Sequence, residues 1–484
     1  MKTGNTDAIS AKDSLLAMIR DGRQMTLRQQ ISLAARLSVP AMLAQLSTIV
    51  MEYIDASMVG RLGADDSASI GLVSSSIWLF GGVCSAVATG FSVQVAQMIG
   101  GNRDKDARSV LRQAILTCLL FSILIALVGV ITSPHLPVWL GGHNAIVPGA
   151  TVYFAIFMMG TPFLMLEMLA GSMLRCAGNM RVPSMLNVLM CVLDVVFNFL
   201  LIFPTRTLTL FGITFEMPGA GLGVMGAAIG TITAELVVCV LMTAYLLLRE
   251  PLLNLRQDSG SFRPRRTTIV QAWNIGFPMG LQHVILCTAH IAIITIVAPL
   301  GSIAIAANAF AVTAESLCYM PGYGISDAAT TLIGQSVGAG RRYLARHFAT
   351  ITVAMGMAVM GLMGVFLYMA APLMMSILSP VPEVVSLGAE CLRIEAFAEP
   401  LFAAAIVTYG VFVGAGDTMT PCWMNVVSMW AVRLSLAVVL VGSMGLTGVW
   451  TAMCIELCFR GSIFLIRLRS GRWLKKAKAA SSPK

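Results

Sequence analysis

The chain is short of charge. Asp, Glu, Lys and Arg together make up 11% of its 484 residues, against about 25% in an average soluble domain. Hydrophobic residues reach 57% and the mean hydropathy is +0.83. So few ionic groups cannot cover a water-facing surface over that much apolar material, so the surrounding solvent is largely lipid. Several signatures are missing as well. The 11 Cys contain no CxxC pair, and the five His show no ligand spacing with them. A zinc or disulfide framework is therefore not expected, and the Cys read as small buried hydrophobes. Neither a GxxxxGK[ST] phosphate loop nor an HExxH zinc motif occurs, which argues against a self-contained ATP pump and against an intramembrane metalloprotease. The first 30 residues are polar and hold no apolar signal core, so the first apolar segment reads as a membrane span rather than a removed leader.

What is present is a series of long apolar runs. Uncharged stretches cover 67–102, 113–166 and 348–382, each longer than the roughly 20 residues that cross a bilayer as a helix. Hydropathy predicts six helices at 31–56, 67–95, 109–132, 147–174, 183–204 and 219–247. Six more are predicted at 269–297, 304–333, 347–371, 384–412, 420–443 and 446–466. Residues 1–30 read as an N-terminal tail and 31–248 as a first six-helix lobe. The polar, basic stretch 249–268 reads as a linker, 269–466 as a second lobe and 467–484 as a basic C-terminal tail.

The net charge of +9 has no compact soluble domain to sit on, so nucleic acid is not an expected partner. Lys and Arg fall instead in the tails, the linker and alternate loops. The opposite side holds only Arg61 and Arg206, while Arg36, Arg393, Arg433 and Arg460 lie within spans. Positive charge stays on the cytoplasmic side. Both termini are therefore expected in the cytoplasm, with the chain crossing the cell membrane an even number of times.

The halves repeat. ISLAARLSVPAMLAQLSTIVMEYIDASMVGRLG at 31–63 returns 238 residues later as IVQAWNIGFPMGLQHVILCTAHIAIITIVAPLG at 269–301. In this gapless register Pro40 meets Pro278, Gln97 meets Gln335, Gly100 meets Gly338 and Arg103 meets Arg341. Pro162 meets Pro400, Gly178 meets Gly416 and Asn187 meets Asn425. After the fifth span the first half carries about 16 extra residues, around TRTLTLFGITFEMPGAG, and the register becomes 222, with Gly223 on Gly445. Six spans is an even number, so both halves enter from the same side and are related by an axis along the membrane normal. Two such bundles facing each other leave a cleft that could open to either side in turn.

On these motifs the sequence resembles the multidrug and toxic compound extrusion (MATE) family of the MOP flippase superfamily, in its bacterial form. The resemblance covers about 31–466 and rests on IDASMVGRLG, on AQMIGGNRDKDAR with its echo GQSVGAGRRYLAR, and on RCAGNMRVP with its echo VGAGDTMTP. NVLMCVLDVVFNFLLIF and GLGVMGAAIG add to it. It implies an all-α integral membrane fold of twelve transmembrane helices in two parallel six-helix repeats. It also implies no enzyme activity, and export of organic, often cationic, drug-like compounds in exchange for H+ or Na+. No cofactor or metal centre is implied, and the chain is expected to sit in lipid as a monomer. The alternative is a flippase for a lipid-linked precursor in the same superfamily. Those carry a basic cleft for a pyrophosphate, whereas here acids outnumber bases within the spans.

The acids inside spans include Glu52, Asp55, Glu167, Asp194, Glu235, Glu315, Asp327, Glu395 and Glu399. An ionised Asp at the bilayer centre costs roughly 2.5–3.5 kcal/mol, so these are expected to face the bundle interiors or the cleft. A negative interior suits a cationic substrate and a coupling cation. Asp55 matches the acid that ends the first span in the family, and the implied role is to bind the coupling ion. Asp194 and Asn198 stand at i and i+4 on one face of the fifth helix and complete the expected ion-coupling group. Many relatives carry Asn first and Asp second there; this chain has the reverse. Glu52, Glu167, Glu235, His283, His290, Glu315, Glu395 and Glu399 are candidates for the cleft or the substrate. NorM-type members carry acids in the seventh helix, where this chain has Leu286. Pro40, Pro162, Pro278, Pro321 and Pro400 free backbone carbonyls within helices and are hinge candidates. The 32 Met supply flexible, polarizable side chains that suit a cleft for varied apolar cations.

Overall fold

Backbone amides in lipid must bond within their own segment, so long apolar runs become helices. The computed structural model describes residues 15–210 and 213–474. Its first lobe comprises α1 (Leu27–Gly60), α2 (Ala64–Gly100), α3 (Asp104–Thr132), α4 (Val147–Cys176), α5 (Arg181–Ile202) and α6 (Gly223–Leu248). The second comprises α7 (Arg266–Val297), α8 (Ser302–Gly338), α9 (Arg342–Leu378), α10 in two pieces (Pro382–Glu395 and Glu399–Gly414), α11 (Met419–Met444) and α12 (Leu446–Ser470). Eleven of these are long and apolar enough to span a membrane, and the bent pair of α10 makes a twelfth. The fold is thus the twelve-helix membrane bundle that the hydropathy predicts.

Local signals set the ends. At the start of α1, the Gln29 N–H donates to Thr26 Oγ1 and the Thr26 N–H donates to the Gln29 side chain at 2.9 Å, a reciprocal cap of two otherwise unpaired amides. The repeat is visible in the turns. Gly63 and its partner Gly301, which open α2 and α8, have φ of 138° and 96°, backbone that L side chains rarely adopt.

The lobes meet through α1 on α8 and α2 on α7. Small residues allow the close approach: Gly90 faces the Ala272 carbonyl, Gly276 faces that of Ala86, and Gly324 lies on the Ala41–Met42 backbone. At the Arg-rich end the contact is reciprocal. Gly100 lies on the Gln335 carbonyl and Gly338 on the Gln97 carbonyl. Gln97 Nε2 donates to the Gly414 carbonyl at 3.1 Å, and Gln335 Nε2 donates to that of Cys176 at 2.8 Å. These pairs interchange under the 238-residue register, as a two-fold relation of the lobes requires. Arg175 Nε and Asp327 Oδ2 add an ion pair at 3.7 Å across the same seam.

Several features depart from the sequence reading. The extra residues of the first half form an antiparallel hairpin, β1 (Pro204–Leu210) and β2 (Ile213–Ala220). The sixth helix consequently begins at Gly223, not 219. Pro400 does not sit mid-helix: it lies in the first turn of the second piece of α10, after a 61° bend. Its repeat partner Pro162 stays inside an unbroken α4. Residues 428–434 of α11 form a π-helix.

The tails are also shorter than read. Residues 15–20 are helical, with Leu16 and Ile19 buried. Residues 467–474, assigned to the basic tail, continue and follow α12: Arg467 pairs with Asp417, and Trp473 and Leu474 are buried. An apolar aromatic end packs into the bundle despite the basic residues around it. Residues 1–14 and 475–484 lie outside the described residues. The linker is docked on the first lobe, with Arg108 Nε 2.9 Å from Asp258 Oδ2 and Arg112 on the other carboxylate oxygen. The Arg112 hydrogen bond, with Arg108 beside it, holds the Asp258 carboxyl below the usual carboxylate range.

Candidate ion and substrate site

Asp55 lies near the end of α1, and α5 packs against α1 with Asp194 and Asn198 on its inner face. Asn198 Nδ2 donates to Asp55 Oδ1 at 3.0 Å and to Asp194 Oδ2 at 3.2 Å. One amide therefore spends both its hydrogens on two carboxyls. Asp194 is fully buried, Asn198 is 2% exposed and Asp55 is half-buried. The reversed order of Asp and Asn still works here because i and i+4 share one helix face, so either residue reaches α1. Asp194 Oδ1 has no protein partner.

The site depends on one small residue of α6. A Cβ at Gly230 would fall 2.2 Å from Asn198 Oδ1. Gly230→Ala should therefore push the amide off its carboxyls. The expected cost is about 1–3 kcal/mol of overpacking, read as a lower thermal midpoint in detergent together with loss of transport. An unchanged midpoint and transport rate would show that the amide position does not matter.

Two further acids share this interior. Glu235 of α6 is 9% exposed with Oε2 unpartnered, and Glu167 of α4 lies within electrostatic reach of it. Glu52 is exposed one turn before Asp55. It belongs with Ser74, Ser75, Thr288, His290 and Thr313, all polar, exposed and within spans. Every one of these lies on α1, α2, α7 or α8, in the half remote from the Arg-rich end. A carboxyl and an imidazole exposed at that depth, Glu52 and His290, fit a water-filled cleft between the lobes rather than lipid. A cavity of about 350 Å³, lined by Tyr53, Ile54, Ser57, Met58, Arg61, Phe199 and Phe203, adjoins Asp55 along the α1–α5 seam.

The second-lobe candidates gather separately. Glu315 of α8 is 6% exposed, and Glu395 and Glu399 flank the break in α10 with 0% exposure. All four oxygens of Glu395 and Glu399 lack a hydrogen-bond partner. Beside them stands a group that the sequence reading passed over. Glu456 of α12 is fully buried and takes both Arg433 and Arg460, each with an Nη2 at 2.7 Å, and also the Ser428 hydroxyl. The i, i+4 spacing of Glu456 and Arg460 was its signal. His283 is wedged between the lobes, its ring 4.3 Å from that of Trp78 and flush against Gly82. It joins neither acid group, and His290 stands exposed in the cleft half of α7.

Gly334–Gly338 spells GxSxG, a string also passed over in the sequence. It lies inside α8 with Gly338 packed on the Gln97 backbone, not on the strand-to-helix turn that a serine nucleophile needs. Among the described residues no His, Cys, Asp and Glu group of three or more is arranged to hold a metal ion.

A family model described as MatE matches residues 40–200 and 278–439, one match on each lobe. The chain belongs to the MatE family. This makes it a membrane transporter rather than an enzyme. A MatE relative from Thermotoga maritima, the probable multidrug resistance protein NorM, is 23% identical over 444 residues, covering 91% of this chain and 93% of that protein. The multidrug resistance protein MdtK of Yersinia pestis is 25% identical over 457 residues, covering 92% and 95%. Among solved structures, a MATE in complex with MaL6 superposes with a TM-score of 0.84 at 18% identity, covering 95% of this chain and 99% of that one. The outward-facing conformation of a multidrug resistance MATE family transporter also gives 0.84 at 18% identity, covering 95% and 98%. The structural matches establish the shared fold.

Proposed function

We propose that this MatE protein is a secondary antiporter that exports organic, cationic, drug-like compounds while H+ enters through the Asp55–Asn198–Asp194 group. The observation that carries the reading is the single Asn198 amide bridging two carboxyls, one buried and one at the edge of the cleft. Two carboxyls so close need a counter-charge between them. A proton or an organic cation could supply it, and each would displace the other. That exclusion is the essence of exchange: when the proton leaves, the negative charge it uncovers attracts the cation, and the reverse. The names of the NorM and MdtK relatives, a probable multidrug resistance protein and a multidrug resistance protein, support the substrate class.

With the Arg-rich end taken as cytoplasmic, the lobes are sealed inside and the polar cleft faces out. A one-for-one exchange of H+ for a monovalent cation moves no net charge, so the membrane potential cancels and the pH difference drives export, about 1.4 kcal/mol and tenfold in gradient per pH unit. The flippase reading calls for a predominantly basic cleft; the exposed charged residue within the spans there is Glu52, and the cation Arg61 stands where α1 ends beside the adjoining cavity. Na+ is the rival ion, and its test is direct. Purified protein in liposomes should extrude an ethidium-like dye when a pH gradient alone is imposed, and not when a Na+ gradient alone is imposed. Extrusion driven only by Na+ would overturn the proton assignment. Dye retention under both gradients, with lipid-linked pyrophosphate translocated instead, would favour the flippase.

A further inference from the structure

The seam between the lobes at the Arg-rich end carries a third component. Residues 15–20 form a short helix that precedes α1. Its Ile19 is fully buried, and Leu16 and Ile19 enter a core that draws Leu33 and Met180 from the first lobe and Leu332, Val337 and Leu344 from the second. Polar contacts hold it from both sides. In the first lobe, Arg20 Nη2 pairs with Asp104 at 3.0 Å, and Arg20 Nε donates to Asn102 Oδ1 at 3.1 Å. Asn102 Nδ2 returns a bond to the Arg20 carbonyl at 3.0 Å. In the second lobe, Arg341 Nη1 donates to the Met18 carbonyl at 2.8 Å.

The grips come from equivalent turns of the two lobes, although the gripping side chains themselves differ: Asn102 and Asp104 in the first, Arg341 in the second. Residues 102–104 fall on 340–342 in the 238-residue register, so one short segment is held by the same corner of each lobe. Asn102 makes the point in its backbone. Its φ is 56°, the one positive value among described non-glycine residues, where its partner is Gly340 with φ of 71°. Asparagine accepts that strain more readily than most residues, and here its amide clasps Arg20 from both ends.

We propose that residues 15–23 are an interlobe strap that holds the Arg-rich end shut and sets the balance between the two access states. A two-fold arrangement has room for only one segment on its axis, so a single strap serves both lobes. Opening this end must pull Ile19 from its core, or break either the Arg20–Asp104 grip or the Arg341 grip. The inference needs only that the lobes part at this end. It does not depend on the ion or the substrate.

The test is hydrogen exchange on the full-length protein in detergent, without substrate. Arg20→Ala should speed exchange of the α2 end around Gln97–Asn102 and of the equivalent Gln335–Gly340 by about fivefold or more, together with the strap's own amides. Arg20→Asp combined with Asp104→Arg should restore protection by remaking the pair in reverse. Faster exchange confined to residues 15–23, with the two helix ends still protected, would show a tethered terminus and overturn the strap. So would unchanged exchange everywhere. If Arg20→Ala fails to fold, Asp104→Asn breaks the same grip while keeping the size of the side chain, and the same outcomes apply.

Discussion

Asp55→Asn should reduce proton-driven dye export in proteoliposomes to the leak of protein-free vesicles. The substituted amide keeps the size of the carboxyl, and its oxygen can still accept the 3.0 Å bond from Asn198. It cannot take up or release a proton, so exchange stops while the fold survives. Thermal stability should stay at or above that of the unmodified protein, because a half-buried acid has been replaced by a neutral group. Asp194→Asn tests the other arm and should also end export. Export at the original rate in the Asp55 variant would remove that residue from the mechanism, whatever its position.

The second large effect concerns stability. Glu456→Gln should lower the free energy of unfolding by about 3–5 kcal/mol, the range for removing one partner of a buried ion pair. Two guanidiniums, Arg433 and Arg460, depend on this one carboxylate in a region with little water. The variant should show a strongly depressed thermal midpoint in detergent or a failure to accumulate in the membrane. A triple change, Glu456→Leu with Arg433→Met and Arg460→Met, removes all the charges together and should recover much of the loss. A single variant with a normal midpoint would mean that the two arginines find other partners.

Much of the architecture was legible in the sequence because lipid imposes a simple rule. Apolar runs of sufficient length become helices, and the 238-residue register then fixes how the two sets are related. Gly63 with Gly301 and Gln97 with Gln335 are read from the string alone and found in equivalent turns and bonds. The hairpin was not legible to hydropathy. Its alternating pattern, PTRTLTL and ITFEMPGA, has a period of two residues that a window about 19 residues wide averages away.

The polar groups divide along a similar line. Asp55, Asp194 and Asn198 were expected to meet, since two share a helix face and the third ends the first span. Glu456 was passed over although Arg433 and Arg460 were both noted inside spans. Its pairing with Arg433 depends on how α12 packs on the π-helical turn of α11, which no local pattern announces. Glu395 and Glu399 both fall within one predicted helix, 384–412. The structure instead puts a bend between them, where two uncompensated carboxyls and Pro400 disfavour an unbroken helix.

That bend has a mechanical consequence for a duplicated molecule. Helix α4 runs unbroken through its lobe with Pro162 inside it, while its twin α10 is two shorter pieces that meet at a 61° bend around residues 396–398. Twin halves of equal stiffness would share any load equally. With a break in only one of them, the second half has a place to flex that the first lacks at the same position, so a doubled blueprint does not require a symmetric stroke.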